Sequence, residues 1–188
     1  GRGFEEAFLK AWSSLEYGAP HPRPLTMADA LGGETKDERA LIPLDDVTLE
    51  SWLSVPSDRR MAALFESFRR GWDIERVREL TGGVTRWFLH RFQTMASIED
   101  EIVDYGENHS ISDLDEGRIR KWKGYGFSDA HISDAMRGFS IERDHHYGPE
   151  SVTRHRHSLG IHPVFRMVDS CAAEFAAVTP YYYSTYEG

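Results

Sequence analysis

The sequence predicts an all-α fold, an irregular bundle of about six to eight short helices with two helix-turn-helix-like units and extended N- and C-terminal arms. Three observations carry that prediction. Apolar residues return every three or four positions over residues 4–16, 58–70, 85–104 and 112–123, the period of a helix with one buried face. A glycine, an aromatic residue and a helix-capping residue occur together twice, as Gly71-Trp72-Asp73 and Gly126-Phe127-Ser128. Alternation of period two is confined to the end of the chain, where Val164, Arg166 and Val168 alternate with Phe165, Met167 and Asp169.

Taken in order, residues 4–16 form a helix whose apolar stripe is Phe4, Ala7, Phe8, Ala11, Trp12 and Leu15. Pro20, Pro22, Pro24, Gly32, Gly33 and Pro43 break the pattern over residues 19–53, which reads as a linker with short helical turns near 26–30 and 48–53. Ser57 or Asp58 caps the next helix, with Met61, Leu64, Phe65 and Phe68 inside. Asp73 caps a helix that faces inward through Ile74, Val77 and Leu80. Gly82 and Gly83 lead into a longer one, buried through Phe88, Phe92, Met95, Ile98 and Ile102. Ser112 or Asp115 opens a helix that buries Ile119 and Trp122, and Ser128 caps one that buries Ile132 and Ala135. A last helix starts at Pro149 or Glu150 and runs to residue 159. Pro163 fixes its own φ and drives His162 to an extended conformation, so the chain beyond it is extended.

Composition narrows the function. With 188 residues, 40% of them hydrophobic and 12% aromatic, the chain can bury one ordinary core with an appended arm. A formal charge of −9 argues against a generic nucleic-acid binder, whose affinity comes from neutralising phosphates. Cys171 is the single cysteine, which excludes an internal disulfide and points to a reducing, cytoplasmic setting. No apolar run reaches the length of a membrane span and no secretory leader pattern is present. The chain starts without a methionine, as an excised piece of a longer protein would.

Alternative chemistries fail on charge or spacing. Helix-turn-helix units with glycine in the turn also hold DNA recognition helices, but residues 128–137 offer Asp129, Ser133 and Asp134 against a single Arg137. Arg69, Arg70, Arg76 and Arg78 are interleaved with Glu66, Asp73, Glu75 and Glu79, the pattern of a solvated, ion-paired face. His145, His146, His155 and His157 are metal-ligand types, yet His155 and His157 on one helix point about 200° apart and do not share a metal. Glu99, Asp100 and Glu101 diverge for the same reason and read as a solvated face. There is no phosphate-binding loop and no nucleophile elbow; Gly1-Arg2-Gly3 is too short a cradle, and Cys171 between Ser170 and alanines has no fixed base.

The ends of the chain are the most distinctive part. Residues 166–175, containing Asp169, Cys171, Ala172, Ala173, Glu174 and Phe175, resemble the Val-Asp-Thr-Cys-Ala-Ala-Glu-Phe signature of the large subunit of carbamoyl-phosphate synthetase. Residues 183–187 resemble its Tyr-Ser-Thr-Tyr-Glu signature. Further matches follow in the right order: residues 1–7 resemble its Gly-Arg-Thr-Phe-Glu-Glu-Ala helix, Trp87, Phe88 and Leu89 its Trp-Phe-Leu helix, and Gly126, Phe127, Ser128 and Asp129 its Gly-Phe-Ser-Asp turn.

The resemblance implies the central oligomerization or connection domain of that subunit. Residues 1–18 would then be the last helix of the first, carboxyphosphate-forming half and residues 19–53 a linker. Residues 54–161 would be the helical oligomerization domain, and residues 162–188 an extended segment leading to the second half. It further implies no catalytic, cofactor-binding or metal residue here, the parent's ATP, Mg2+ or Mn2+ and K+ sites belonging to the flanking halves. The implied partners are those halves, other large subunits and a glutaminase subunit or domain, with no nucleic acid and no membrane. Phe4, Phe8 and Trp12 at one end, and Tyr181, Tyr182, Tyr183 and Tyr186 at the other, are the expected interface residues, partly exposed where the halves would cover them. The alternative is a stand-alone helix-turn-helix-like module that binds protein or nucleic acid. The segment 143–149, with His145 and His146, is longer than the family usually carries.

Overall fold

The structure is a computed structural model and describes residues 1–15, 19–32, 42–140, 148–168 and 181–186. Among these the chain is mostly helical: α1 (Phe4–Trp12), α2 (Met27–Leu31), α3 (Asp46–Ser54), α4 (Arg60–Arg69), α5 (Ile74–Leu80), α6 (Arg86–Asn108), α7 (Glu116–Gly124), α8 (Asp129–Met136) and α9 (Pro149–Ser158). A 3-10 turn, Ile111–Asp113, precedes α7. The strands β1 (Val164–Val168) and β2 (Tyr181–Thr185) pair antiparallel, with Val164 opposite Thr185 and Val168 opposite Tyr181. No helix among the described residues is long and apolar enough to cross a membrane. The chain divides into two compact units, one made of Pro22–Glu101 and the other of Gly1–His21 with Ile102–Gly188.

In the unit Pro22–Glu101, the stretch read as a linker contributes to the core. Leu25, Ala28, Leu44, Leu49 and Leu53 are buried together with Leu64, Phe65 and Val77. Helices α2 and α3 form near the two places where short helical turns are expected. The stretch is tethered rather than free because Glu66, buried on α4, accepts from the Leu25 amide (3.1 Å), while the Arg69 Nη2 donates to the Pro22 carbonyl (3.0 Å). Arg69 also binds both carboxylate oxygens of buried Glu99, so burial, which favours its neutral form, is outweighed and its pKa is raised. These charges correct the solvated-face reading in part: Glu66, Arg69 and Glu99 are interior, whereas Glu75, Arg76 and Arg78 are exposed or half-exposed. Buried ion pairs of this kind survive only when each partner is hydrogen-bonded, as here.

Both glycine-aromatic-cap turns form, one in each unit. Gly71 (φ 70°) ends α4, the Trp72 amide reaches back to the Ser67 carbonyl (3.0 Å), and Asp73 caps α5 by accepting from the Arg76 amide (2.9 Å). Gly126 (φ 96°) ends α7, the Phe127 amide reaches the Trp122 carbonyl (3.2 Å), and Ser128 caps α8 through the His131 amide (3.0 Å). The left-handed glycine closes the helix and the next residue buries its ring, so one short motif stops a helix, anchors the corner and starts the next. Asp115, the second of the two expected caps, starts α7.

Three helix faces differ from expectation. On α1 the buried residues are Glu5, Glu6, Leu9 and Trp12, while Ala7, Ala11 and Leu15 are exposed and Phe4 and Phe8 half-buried. On α4 the buried side runs from Ala63 to Phe68 and Met61 is exposed; the N-cap position is Arg59, whose amide donates to the Asp58 carboxylate (3.0 Å). On α6 it is Leu89, not Phe88, that enters the core. Trp87 and Phe88 lie outside, packed edge-to-face at 4.9 Å, with the Arg91 guanidinium 5.1 Å over the Trp87 ring.

Candidate functional site

The unit that contains both chain ends gathers them on one helical body. Glu6, in α1, is buried because its carboxylate is satisfied: it accepts from the Arg2 amide (2.6 Å), from Lys10 Nζ (2.6 Å) and from the side chain of Thr185 in β2. Lys10 Nζ also donates to the Ser184 carbonyl, so one ion pair joins α1 to β2. This explains why α1 turns Glu5 and Glu6 inward beside Leu9 and Trp12 and leaves Ala7 and Ala11 of the expected stripe outside.

Gly126 then brings α1 against the α7–α8 corner. A Cβ built there would stand 2.6 Å from the Glu6 Cα, closer than a side chain can approach a backbone, and 3.2 Å from the Glu6 carbonyl oxygen. The glycine is thus required twice, by its φ and by the helix it touches. Gly106 makes a similar approach between α6 and α8, its Cβ position lying 2.6 Å from the Met136 Cα.

The other half of the junction is a buried charge cluster centred on Asp129, the first residue of α8. One carboxylate oxygen accepts from Lys123 Nζ of α7 (2.6 Å) and the other from Thr153 Oγ1 (2.6 Å) and Arg156 Nε (2.8 Å) of α9. Arg156 continues to the Ile161 carbonyl (3.1 Å), at the entry to β1. The Tyr186 ring closes the cluster, with Lys123 Nζ 4.8 Å and the Arg156 guanidinium 5.5 Å from its centroid. A single carboxylate therefore fixes α7, α8 and α9, and the residue after β2 sits on its partners.

Burial alone would push the Asp129 carboxyl up, but the Lys123 charge and the hydrogen bonds from Lys123, Thr153 and Arg156 hold it below its ordinary value of 3.8. Glu6 and Asp134 behave alike: burial opposes, and Lys10 in one case, His21 and Arg137 in the other, bring them below 4.5 and 3.8. Burial works against the Lys123 ammonium too, lowering it, and the Asp129 charge and hydrogen bond oppose that shift. Because the folded values lie below the unfolded ones, the stability these carboxylates contribute is present above the ordinary values and lost as pH falls through the folded ones. The unfolding temperature is expected to fall as pH drops below 4.5 and then 3.8. Scanning calorimetry checks this; Asp129→Asn should flatten the acid limb.

Of the expected interface residues, Tyr181 and Tyr182 are exposed, Phe4, Phe8, Tyr183 and Tyr186 are half-buried, and Trp12 is buried at 5% exposure, which corrects its placement at the surface. The ribbon is exposed away from α1, with Phe165 71% and Tyr181 66% exposed, whereas Thr185 is buried. Asp169, Cys171, Ala172, Ala173, Glu174, Phe175, His145 and His146 lie outside the described residues. His155 Nε2 contacts the Leu114 carbonyl (2.8 Å), whereas His157 stacks on His162 (4.6 Å), so the two point apart, and no group of three metal-ligating side chains is gathered among the described residues. Helix α8 buries His131, Ile132, Ser133, Ala135 and Met136, leaving no open face of the kind a DNA recognition helix presents.

Fold and junction define a mostly helical domain that holds α1 and the β-ribbon on one body. The chain belongs to the family of oligomerisation domains of the carbamoyl-phosphate synthetase large chain, whose model matches residues 1–160. It is 36% identical over 187 residues to the carbamoyl phosphate synthase large chain of Methanothrix thermoacetophila, covering all of this chain and 14% of that protein. The large chain of Synechocystis sp. is 36% identical over 187 residues, covering all of this chain and 15% of its own length. The large chain, N-terminal section, of Aquifex aeolicus is 37% identical over 190 residues, covering all of this chain and 28% of its own length. The chain thus spans a minor part of these relatives. Membership in an oligomerisation-domain family implies association with other chain parts or subunits.

Proposed function

We propose that this chain holds the two synthetase halves of a carbamoyl-phosphate synthetase large chain in a fixed relation and supplies a surface for association of large subunits. The parent would make carbamoyl phosphate from bicarbonate, glutamine-derived ammonia and two ATP for arginine and pyrimidine synthesis in the cytoplasm. Its ATP, Mg2+ or Mn2+ and K+ would bind in the flanking halves, with a glutaminase subunit or domain as a further partner. The observation that carries the reading is the junction itself, where Glu6 of α1 lies against Gly126 and binds Lys10 and Thr185, while Tyr186 packs on Lys123 and Arg156. A body that pins both arms sets the distance between whatever the arms carry. Such fixed placement protects an intermediate passed between two sites.

The exposed apolar surface supports the same reading: Phe165, Met167, Tyr181 and Tyr182 on the ribbon, and the half-buried Phe4 and Phe8 of α1, are areas that attached domains would cover. The test is to place Gly126→Val in the full-length large chain. Overall carbamoyl phosphate formation is expected to drop at least about tenfold while ATP hydrolysis by the separate halves persists, since misplacement costs rate without touching the reacting groups. Unchanged overall synthesis would contradict the proposal.

A further inference from the structure

Helix α6 carries its charges in the order its own dipole disfavours. It has no acidic residue in its first turn and no basic residue in its last. Arg86, His90 and Arg91 stand at the positive N-terminal end, and Asp100, Glu101, Asp104 and Glu107 at the negative C-terminal end. Isolated helices gain from the opposite arrangement. The exposed residues also form a seam: Arg86, His90, Gln93, Ser97, Asp100 and Asp104 follow one another at alternating four- and three-residue steps, the spacing by which two helices meet side by side. At its middle stand Gln93 and Ser97, both uncharged, and Ser97 is small enough for close approach.

From this placement we infer that the α6 seam is a two-fold interface with a second copy of this chain, the two helices antiparallel and crossing between Gln93 and Ser97. A two-fold axis there sets Arg86 of each copy against Asp104 of the other, His90 against Asp100, and Gln93 against Ser97. The central pair is compatible as well, since an amide and a hydroxyl can each donate to the other. The charge order unfavourable within one helix becomes favourable in the pair, because each acidic end lies beside a basic N-terminal end. Arg86 also holds Glu75 through Nε (2.7 Å) and Nη2 (2.9 Å), and its side chain stays more than half exposed. The inference rests on the association role proposed above and names its partner and face.

Sedimentation equilibrium of the 188-residue chain tests it. The wild type is expected to self-associate, more weakly as salt rises. Arg86→Glu alone or Asp104→Arg alone should weaken association about tenfold by setting like charges together at both ends of the seam. An equimolar mixture of the two variants should associate as the wild type does, because the heterodimer restores both opposite-charge pairs. Circular dichroism verifies that each variant keeps its helices. A monomeric wild type would overturn the interface together with the association role. Association untouched by either reversal, or a mixture that stays weak, would overturn this seam alone and leave the association role standing.

Discussion

Replacing Asp129 with alanine is expected to lower the unfolding free energy of the unit holding both termini by about 3–5 kcal/mol, the usual consequence of breaking a buried pair and leaving its partner charged. Lys123, Asp129 and Arg156 keep only 6, 12 and 10% of their side-chain surface exposed, so water cannot replace what is lost. Chemical denaturation followed by far-ultraviolet circular dichroism measures it. The double replacement Asp129→Leu with Lys123→Met should lose less than the single one, since it leaves fewer uncompensated charges in the interior. A loss below about 1 kcal/mol in the single variant would mean that the cluster is solvated like a surface pair.

Gly126→Val is expected to have the second large effect. A non-glycine residue at φ 96° is strained by roughly 1–3 kcal/mol, and its Cβ meets the Glu6 backbone at 2.6 Å, where overpacking adds roughly 1–3 kcal/mol. Relief comes by moving α1 off the corner, which also pulls Lys10 from Ser184. The variant should therefore expose Glu6 as well as lose stability. Amide hydrogen exchange along α1 checks this: faster exchange there than in the unit Pro22–Glu101 is the expected pattern, and uniform protection would contradict it.

Much of the fold was legible from periodicity and punctuation. Gly71, Gly126, Asp73 and Ser128 mark their helix ends by chemistry that needs only neighbours, and Val77, Ile119, Trp122, Ile132 and Ala135 are buried where a 3.6-residue period places them. The junction was less legible because its pairs are distant in sequence. Asp129 meets Thr153 and Arg156 from another helix, and Lys10 meets Ser184; within the unit Pro22–Glu101, Glu99 meets Arg69 in the same way, and local spacing makes such residues look like a solvated face. The inward acidic side of α1 has the same origin, since Lys10 and Thr185 supply partners to Glu6 while Ala7 and Ala11 of the expected stripe face outward. Gly106 lies past residue 104, where the helix is expected to end; the helix instead runs on to Asn108 and sets this glycine against the Met136 backbone.

The signature residues Gly126, Phe127, Ser128 and Asp129 each do separate work. The glycine turns the chain and seats α1, the phenylalanine fills the core, the serine caps α8, and the aspartate ties α7 to α9. Four consecutive residues thus touch α1 on one side and α9 on the other.

The central claim, that α1 and the ribbon are held in one fixed relation, is tested most directly by pulsed electron spin resonance between labels at Ala11 and Phe165, both exposed, with Cys171 replaced by serine. The wild type should give a single narrow distance distribution that broadens in Gly126→Val and Asp129→Ala. A broad distribution in the wild type would contradict the account.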